Sequence, residues 1–446
     1  MNWNLNPSFV ASVSRKLASI EVTRRQASVS SKRQGPDARP VDGRISLDEV
    51  ENITSSKTNK YGHRIDIARQ SSNGDFTSVE GPSFKIVSSL AAQLQDKCQL
   101  EGMVSIAFIE DFIANFVFDR IVNEIDSSSF LSSFMAHVES SIEEFEFWFP
   151  ISGANGNVEF AFGGCKIAPT CPNFDVFLNA MESGKEENRD RAGAFDNKVQ
   201  VLRRNYGKCL WIAVPQTGEL KYASQSAYEK SLEICDILRA FIVESYRPDR
   251  FATLIPGRPY SVGDFSISQT QNGFSVHESV LPGSEIIWFD QKRLRDLKSL
   301  GLYLIDEPVK AERKTGFDRV LLRTLELMGN GVGQQSTAQK VVLLCAALEF
   351  LFCDKQGEAI VATMPKRAAM LIGANLDDRK RIVQTIKMAY NDRSRSVHTG
   401  GKVAVAEHTF DFLRLCFTLT AFLPRLIGQF ESKEKFIQAL EDRQLA

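Results

Sequence analysis

The sequence of this chain predicts an α+β N-terminal region followed by an all-α helical bundle. Between residues 81 and 315, segments with apolar residues three and four positions apart are mixed with segments in which apolar and polar residues alternate. From Gly316 onward the alternation ends and only the helical spacing remains. A chain of 446 residues, 43% hydrophobic and 24% charged, is long enough for about two or three cores. We therefore expect three parts, at 1–80, 81–315 and 316–446.

Residues 1–80 are predicted to form a flexible, polar, basic arm and linker. Seven serines and seven lysines or arginines precede residue 40, against only Glu21 and Asp37. Low hydrophobicity with an excess of positive charge is typical of a segment without its own core. Within this arm, residues 9–20 have the spacing of a short amphipathic helix.

Residues 81–315 contain the α+β region, which is a candidate sensor or regulatory domain. Helical spacing of apolar residues predicts helices at 86–100, 104–125, 130–146 and 223–244. Alternation around turn glycines predicts a hairpin over 147–166. Shorter alternating runs predict strands at 209–215, 265–267, 274–280 and 285–289. The charged segment 183–198 is expected to be an exposed loop.

Residues 316–446 are predicted to form helices joined by short loops, as in a helical bundle. Apolar stripes and capping residues predict helices at 317–328, 341–352, from about 365, and at 376–399, 403–423 and 433–443. The longest, 376–399, has Asp377 and Asp378 in its first turn, where the helix dipole favours acidic side chains. Gly400 and Gly401 follow it as a stop signal.

Charge and motif content exclude several classes of protein. Lys and Arg total 54 against 55 Asp and Glu, so nucleic-acid binding over the whole surface is not expected. None of the eight cysteines forms a CxxC pair, which favours reduced thiols in a cytoplasmic protein over disulfides or a zinc site. No apolar run is long enough to predict a membrane helix or a secretory leader. P-loop, GxGxxG, GxSxG and HExxH motifs are absent. We expect no metal or cofactor.

Histidine is scarce, so acid–base chemistry near neutral pH has few candidate imidazoles. The chain has five, His63, His137, His277, His398 and His408. His137 lies in a predicted helix and His277 in a predicted strand, and neither has a Cys or Asp nearby at nucleophile or metal-ligand spacing. We expect these two to be structural.

Arg393 is out of place on the longest predicted helix. At about 100° per residue, it falls within the apolar stripe of Ile382, Ile386 and Ala389, whereas Arg395 falls on the opposite side. A guanidinium on a core-facing line loses solvation and is costly unless it is paired. Arg393 is therefore expected to meet a carboxylate or to face a cleft or a subunit interface. Glu349, beside the apolar stripe of the predicted helix at 341–352, is the candidate carboxylate.

His398 lies five residues after Arg393, in the last predicted turn of the same helix. The carboxyl end of a helix favours a protonated imidazole, which can exchange a proton near neutral pH. Such an imidazole beside a fixed guanidinium suits phosphodiester cleavage without metal, with the histidine transferring protons and the arginine stabilising the charged phosphate. Because this chemistry uses a 2′-hydroxyl, the expected substrate is RNA.

The residues around this pair resemble the ApeA-like branch of the HEPN superfamily. The resemblance covers about residues 316–430 and is carried by 391–401, by 347–351 and by Lys366 and Arg367. The family's hallmark is an Arg followed, after four to six residues, by a His, with a polar residue directly after the Arg. Arg393, Ser394 and His398 match it here.

This resemblance implies a fold and a function. HEPN domains are helical bundles that typically dimerise so that both Arg–His pairs line one cleft, and many are metal-independent ribonucleases of toxin, abortive-infection and antiphage defence systems. On this basis Arg393 and His398 are the expected catalytic residues, with Asn391, Asp392, Ser394 and Glu349 supporting them. The expected partners are RNA, with tRNA one candidate, a second copy of the chain, and a phage-derived trigger bound by the N-terminal region.

The near-zero total charge conceals a basic segment. Between residues 365 and 402 there are nine lysines and arginines but only three aspartates. Phosphate attraction and a solvated helix face both explain such a run. The expected RNA-binding side chains are Lys366, Arg367, Lys387, Arg395 and Lys402.

The sequence also allows a second hypothesis about function. Some HEPN domains do not cut RNA and act instead as dimerisation or nucleic-acid-binding units. In that case the chain is a non-catalytic adaptor, and the Arg393–Glu349 pair is purely structural.

Overall fold

The computed structural model describes residues 5–25, 52–59, 63–71, 76–123, 125–183, 192–258, 263–270, 273–280, 283–311, 316–354, 358–399 and 406–445. The chain divides into two compact units. Unit 1 comprises Met1–Phe145 and Gln216–Ser226, and unit 2 comprises Glu146–Pro215 and Ala227–Ala446. These boundaries differ from the predicted ones at 80 and 315, because residues distant in the chain share each core.

Unit 1 begins with helix α1, Pro7–Ala18, followed by a four-stranded antiparallel sheet of order β1-β4-β3-β2. The strands are β1 Thr23–Arg25, β2 Asn52–Ser55, β3 Asp66–Ser71 and β4 Phe76–Glu80. Asn6 caps α1 by accepting a hydrogen bond from the Ser8 amide, and Val13 and Leu17 are buried. The described part of the predicted arm is therefore folded, since several of its apolar residues, among them Val13, Leu17 and Ile67, contribute to one core. Residues 26–51 of that arm lie outside the described residues.

Three helices complete unit 1. They are α2 Gly81–Lys97, α3 Ile106–Asn123 and α4 Phe130–Ser141. All three overlap the predicted helices, but residues 143–146 of the third prediction lie in a strand. Aromatic rings fill the contact between α3 and α4, where Phe112 packs against Phe130 and Phe134. His137 stacks on Phe108 and Phe112, with ring centroids 4.9 and 5.0 Å away. Its predicted structural role is consistent with this packing.

The main sheet of unit 2 has five strands in the order β11-β5-β9-β8-β7. The strands that come after β4 in the chain are β5 Glu143–Ser152, β6 Ala154–Gly156, β7 Phe160–Phe162, β8 Cys165–Ala168, β9 Leu210–Gly218, β10 Phe251–Ala252, β11 Ile255–Pro256, β12 Gly263–Thr270, β13 Gly273–Val280, β14 Ser284–Glu285 and β15 Ile287–Phe289. β12 pairs with β13, β10 with β14, and β15 with β6.

The hairpin predicted over 147–166 is corrected by this topology. β5 is a long strand whose neighbours are β9 and β11, and the hairpin is confined to β7 and β8. Its turn is made by Gly163 and Gly164, whose φ values of 60° and 80° are strained for other residues. Of the predicted turn glycines, Gly153 is a turn residue with a φ of 73° between β5 and β6, whereas Gly156 lies in β6 close to Phe289 of β15.

Five helices accompany these strands: α5 Pro172–Ser183, α6 Ala192–Tyr206, α7 Leu220–Ala240, α8 Gln291–Ser299 and α9 Asp306–Lys310. The loop predicted over 183–198 is replaced from Ala192 onward by α6, whose start directly follows a strongly charged stretch of sequence. Residues 184–191 lie outside the described part of the chain.

The C-terminal region is helical. Its helices are α10 Gly316–Val332, α11 Thr337–Phe352, α12 Ile360–Ile372, α13 Leu376–Thr399, α14 Glu407–Phe422 and α15 Lys433–Leu445. The bounds of α13 match the prediction, whereas α12 begins before Pro365, which lies inside the helix. α10 continues through the predicted stop at Gly329. A Cβ at Gly329 would lie 1.7 Å from the Asp236 carbonyl oxygen, so this glycine permits close approach of α7.

One core runs through unit 2. It joins Ile212 of β9 and Leu238 of α7 to Leu321 of α10, Leu344 of α11 and Phe412 of α14. The α+β part of unit 2 and the helical bundle therefore share their apolar interior, so residue 315 is not a core boundary. α13 packs against α11, α12 and α14 within this unit.

Candidate functional site

Arg393 lies where the buried stripe of α13 reaches the protein surface. Ile382, Ile386 and Ala389 are buried along the stripe, and Arg393 is one turn beyond Ala389. The Arg393 side chain is 26% exposed. The guanidinium is thus partly withdrawn from water but still accessible, as expected for a charge at the edge of a core.

Glu349 of α11 pairs with Arg393. The distance from Arg393 Nη2 to Glu349 Oε1 is 3.6 Å, and the glutamate side chain is 22% exposed. Neither Arg393 Nε nor Glu349 Oε1 has a hydrogen-bond partner among the described residues. The pair therefore compensates charge but leaves hydrogen-bonding capacity unused.

Tyr390 forms a second contact with the same guanidinium. The Arg393 Cζ atom lies 5.2 Å from the Tyr390 ring centroid, within the range of a cation–π interaction. Burial raises the pKa of the Tyr390 hydroxyl, and the Glu349 charge raises it further. Tyr390 therefore remains neutral at physiological pH and presents its ring face to the arginine.

Asp392 forms a separate set of contacts on the neighbouring face of α13. It is 7% exposed. Its Oδ1 accepts a hydrogen bond from Arg395 Nη2 at 2.5 Å, and its Oδ2 lies 2.6 Å from His408 Nε2 on α14. The Asp392 carboxylate therefore bridges α13 and α14.

His408 is the residue that sequence reasoning missed. It lies 16 residues after Asp392, at the second position of α14, and no local spacing pattern links the two. Only the packing of α14 against α13 brings them together. One indication of its importance was present in the sequence: histidine is scarce in this chain, so each imidazole is a candidate for acid–base chemistry.

The charges of Glu349, Asp392 and Arg393 affect one buried thiol. Burial raises the pKa of Cys345 on α11, and the charges of Glu349 and Asp392 raise it further while Arg393 lowers it. Burial also raises the pKa of Cys416 on α14. These thiols remain protonated and act as small apolar side chains between the helices.

The remaining predicted site residues have different surroundings. α13 includes His398, but its side chain lies outside the described residues. Lys402 also lies outside them. Asn391 is exposed and Ser394 is half-buried.

The predicted basic surface requires one correction. Lys366 is exposed, Lys387 is half-buried, and Arg395 is 73% exposed while pairing with Asp392. Arg367 is only 8% exposed. Its guanidinium contacts Glu358 at 2.8 Å and Glu441 at 2.5 Å, and it donates to the Phe352 carbonyl oxygen. Arg367 is therefore a structural cation, because both of its Nη groups already contact protein groups and its side chain is buried.

No cluster of three or more His, Cys, Asp or Glu residues with metal-binding geometry occurs in the described residues. No helix in the same part of the chain has the length and apolar character needed to cross a membrane. No protein-family model, curated protein or solved structure matches the chain.

Proposed function

We propose that this chain is a metal-independent RNA endonuclease of a prokaryotic antiphage or abortive-infection system. The observation that carries the proposal is the placement of Arg393. Its guanidinium is partly exposed at the end of a buried stripe, balanced by Glu349 and the Tyr390 ring, five residues before His398 on the same helix. The defence role rests on the resemblance to ApeA-like HEPN proteins.

The proposed reaction is a transesterification within RNA. The ribose 2′-oxygen attacks the neighbouring phosphorus, the P–O5′ bond breaks, and the products are a 2′,3′-cyclic phosphate and a 5′-hydroxyl. A neutral imidazole accepts the 2′-hydroxyl proton, and a protonated imidazole donates a proton to the departing 5′-oxygen. In this scheme His398 is one of these groups. Arg393 stabilises the extra negative charge on the phosphorane oxygens.

Basic side chains of α12 and α13 supply the expected attraction for phosphates. Lys366 and Arg395 are exposed, and Lys387 is partly so. The whole chain has a formal net charge of −1, so a local positive surface would direct RNA to one place. The proposal includes dimerisation through the helical region, with unit 1 and the α+β part of unit 2 as candidates for binding a phage-derived trigger.

A direct assay tests the nuclease. Purified full-length protein is incubated with RNA in EDTA, and the new ends are identified chemically. The expected result is cleavage with 2′,3′-cyclic phosphate ends, which His398→Ala abolishes while the thermal unfolding midpoint is retained. His63→Ala, a substitution of an exposed histidine in unit 1, is the matched control and should cleave like wild type. Equal cleavage by His398→Ala and wild type would refute the assignment.

A second candidate is a non-catalytic adaptor that dimerises through its helical region. The favouring observation is that the charged pairs join neighbouring helices: Arg393–Glu349 links α13 to α11, and Asp392–His408 links α13 to α14. Both arrangements also suit a purely structural role. This alternative predicts that His398→Ala leaves growth arrest or phage protection in cells unchanged, whereas the nuclease predicts loss of both.

A further inference from the structure

The Asp392–His408 pair lies beside the proposed catalytic arginine. Asp392 directly precedes Arg393, and consecutive helical residues point about 100° apart. The arginine therefore contacts α11 through Glu349, while the aspartate contacts α14 through His408. Because Asp392 and Arg393 are adjacent on α13, the two contacts lie within one turn of the same helix.

The contact geometry leaves one nitrogen of the His408 ring available. His408 Nε2 lies 2.6 Å from Asp392 Oδ2, and the imidazole side chain is 22% exposed. When Nε2–H donates to the aspartate, Nδ1 has a free lone pair. Within the described ranges, no side chain or backbone group forms a hydrogen bond with Nδ1. The ring can therefore exchange a proton at Nδ1 while Nε2 stays bound.

The carboxylate is itself held in place. Asp392 is almost fully buried, and its other oxygen accepts a hydrogen bond from Arg395. A fixed carboxylate on one ring nitrogen orients an imidazole and determines which nitrogen is left to transfer a proton. A surface ion pair would provide no such constraint, because its partners rotate freely in water.

We infer that His408, oriented by Asp392, is a second proton-transfer group of the same site. This inference rests on the proposed ribonuclease function. His398 and His408 then fill the two roles that transesterification requires: one accepts the 2′-hydroxyl proton and the other donates a proton to the 5′-oxygen as the P–O5′ bond breaks. Exchange with water afterwards restores both imidazoles. Each chain thus carries its own acid and base, and Asp392 is a positioning residue that acts through His408.

The test compares variants of the full-length protein in the EDTA cleavage assay. His408→Gln should lower kcat by about 10²- to 10⁴-fold, the usual contribution of a general acid or base, with a much smaller change in KM. Asp392→Asn should lower kcat by about tenfold or more. The double variant should be no slower than His408→Gln, because Asp392 acts only through the imidazole. His63→Gln is the matched control and should retain wild-type kcat.

Chemical rescue separates catalysis from structure. Free imidazole should restore part of the kcat of His408→Ala, whereas a histidine that only tied α14 to α13 would give no rescue. If wild type cleaves and His398→Ala does not, but His408→Gln cleaves like wild type, the inference on His408 is wrong and the nuclease assignment stands. A loss in His408→Gln that only follows its folded fraction also overturns the inference. Wild-type protein that cleaves no RNA overturns both.

Discussion

Arg393 Nη2 lies 3.6 Å from Glu349 Oε1, and this ion pair joins α13 to α11 at the edge of the unit 2 core. The two side chains are roughly three-quarters buried. Each charge therefore needs the other, because an ion withdrawn from water without a partner loses much of its solvation. The pair explains how an arginine is tolerated on the apolar stripe of α13. Substitution of Glu349 therefore measures what the pair contributes to the free energy of unfolding.

Glu349→Gln should lower the free energy of unfolding by about 1–3 kcal/mol, since the Arg393 guanidinium loses its charged partner. Urea unfolding followed by circular dichroism measures the change. Glu307→Gln is the matched control, because Glu307 pairs with Lys310 on the exposed surface. Its effect should stay within about 0.5 kcal/mol. Equal losses in both variants would contradict the interpretation.

Lys366 and Arg367 are adjacent cations that should respond differently to substitution. Arg367→Leu leaves Glu358 in the bundle without its cation and should cost about 3–5 kcal/mol of stability. Lys366→Met alters an exposed side chain and should change stability by less than about 0.5 kcal/mol. If the proposed RNA binding is correct, Lys366→Met should also weaken RNA binding and reduce its salt dependence. Filter binding at several salt concentrations measures this.

Gly329→Ala should destabilise unit 2 strongly, although alanine favours helices by about 1 kcal/mol. The new Cβ would lie 1.7 Å from the Asp236 carbonyl oxygen, so α7 and α10 would have to separate. The matched control is Gly331→Ala in the same helix, where the nearest atoms are Leu343 and Leu344 side-chain carbons 3.3 Å away. We expect the thermal midpoint to fall much further for Gly329→Ala. Similar midpoints would show that the two helices are not in close contact.

His137 should make unit 1 less stable in mild acid. His137 is exposed, but stacking on Phe108 and Phe112 partly removes its ring from water, which lowers its pKa below the ordinary value of about 6.5. At pH values between the lowered pKa of folded His137 and the ordinary value, the unfolded chain binds a proton that the folded chain does not. The stability of unit 1 therefore falls as pH drops through this range. His137→Phe should reduce this loss between about pH 7 and pH 5.5, measured as unfolding midpoints. Phe108→Leu, which keeps the histidine, should lower stability at both pH values and retain a pH dependence.

Local patterns were sufficient to predict much of the helical framework. The bounds of α13 and the position of Arg393 on its apolar stripe follow from a period of 3.6 residues, and Glu349 was the expected carboxylate. The hairpin over 147–166 was wrong, because strand alternation identifies β-structure without specifying which strand lies beside it. Likewise, the start of α6 was assigned to a loop because a strongly charged stretch of sequence directly precedes it.

The sequence by itself determined where α13 lies and that Arg393 needs a partner, because both depend on residues within a few turns of one helix. Only the tertiary structure decided that Arg367 is buried with Glu358 and Glu441, and that Asp392 meets His408. It also decided that the sheet and bundle of unit 2 share one core. The physical reason is the same in each case. Pairing and burial depend on helices that are distant in the chain and adjacent in space. The spacing of residues along one helix does not specify which other helices pack against it.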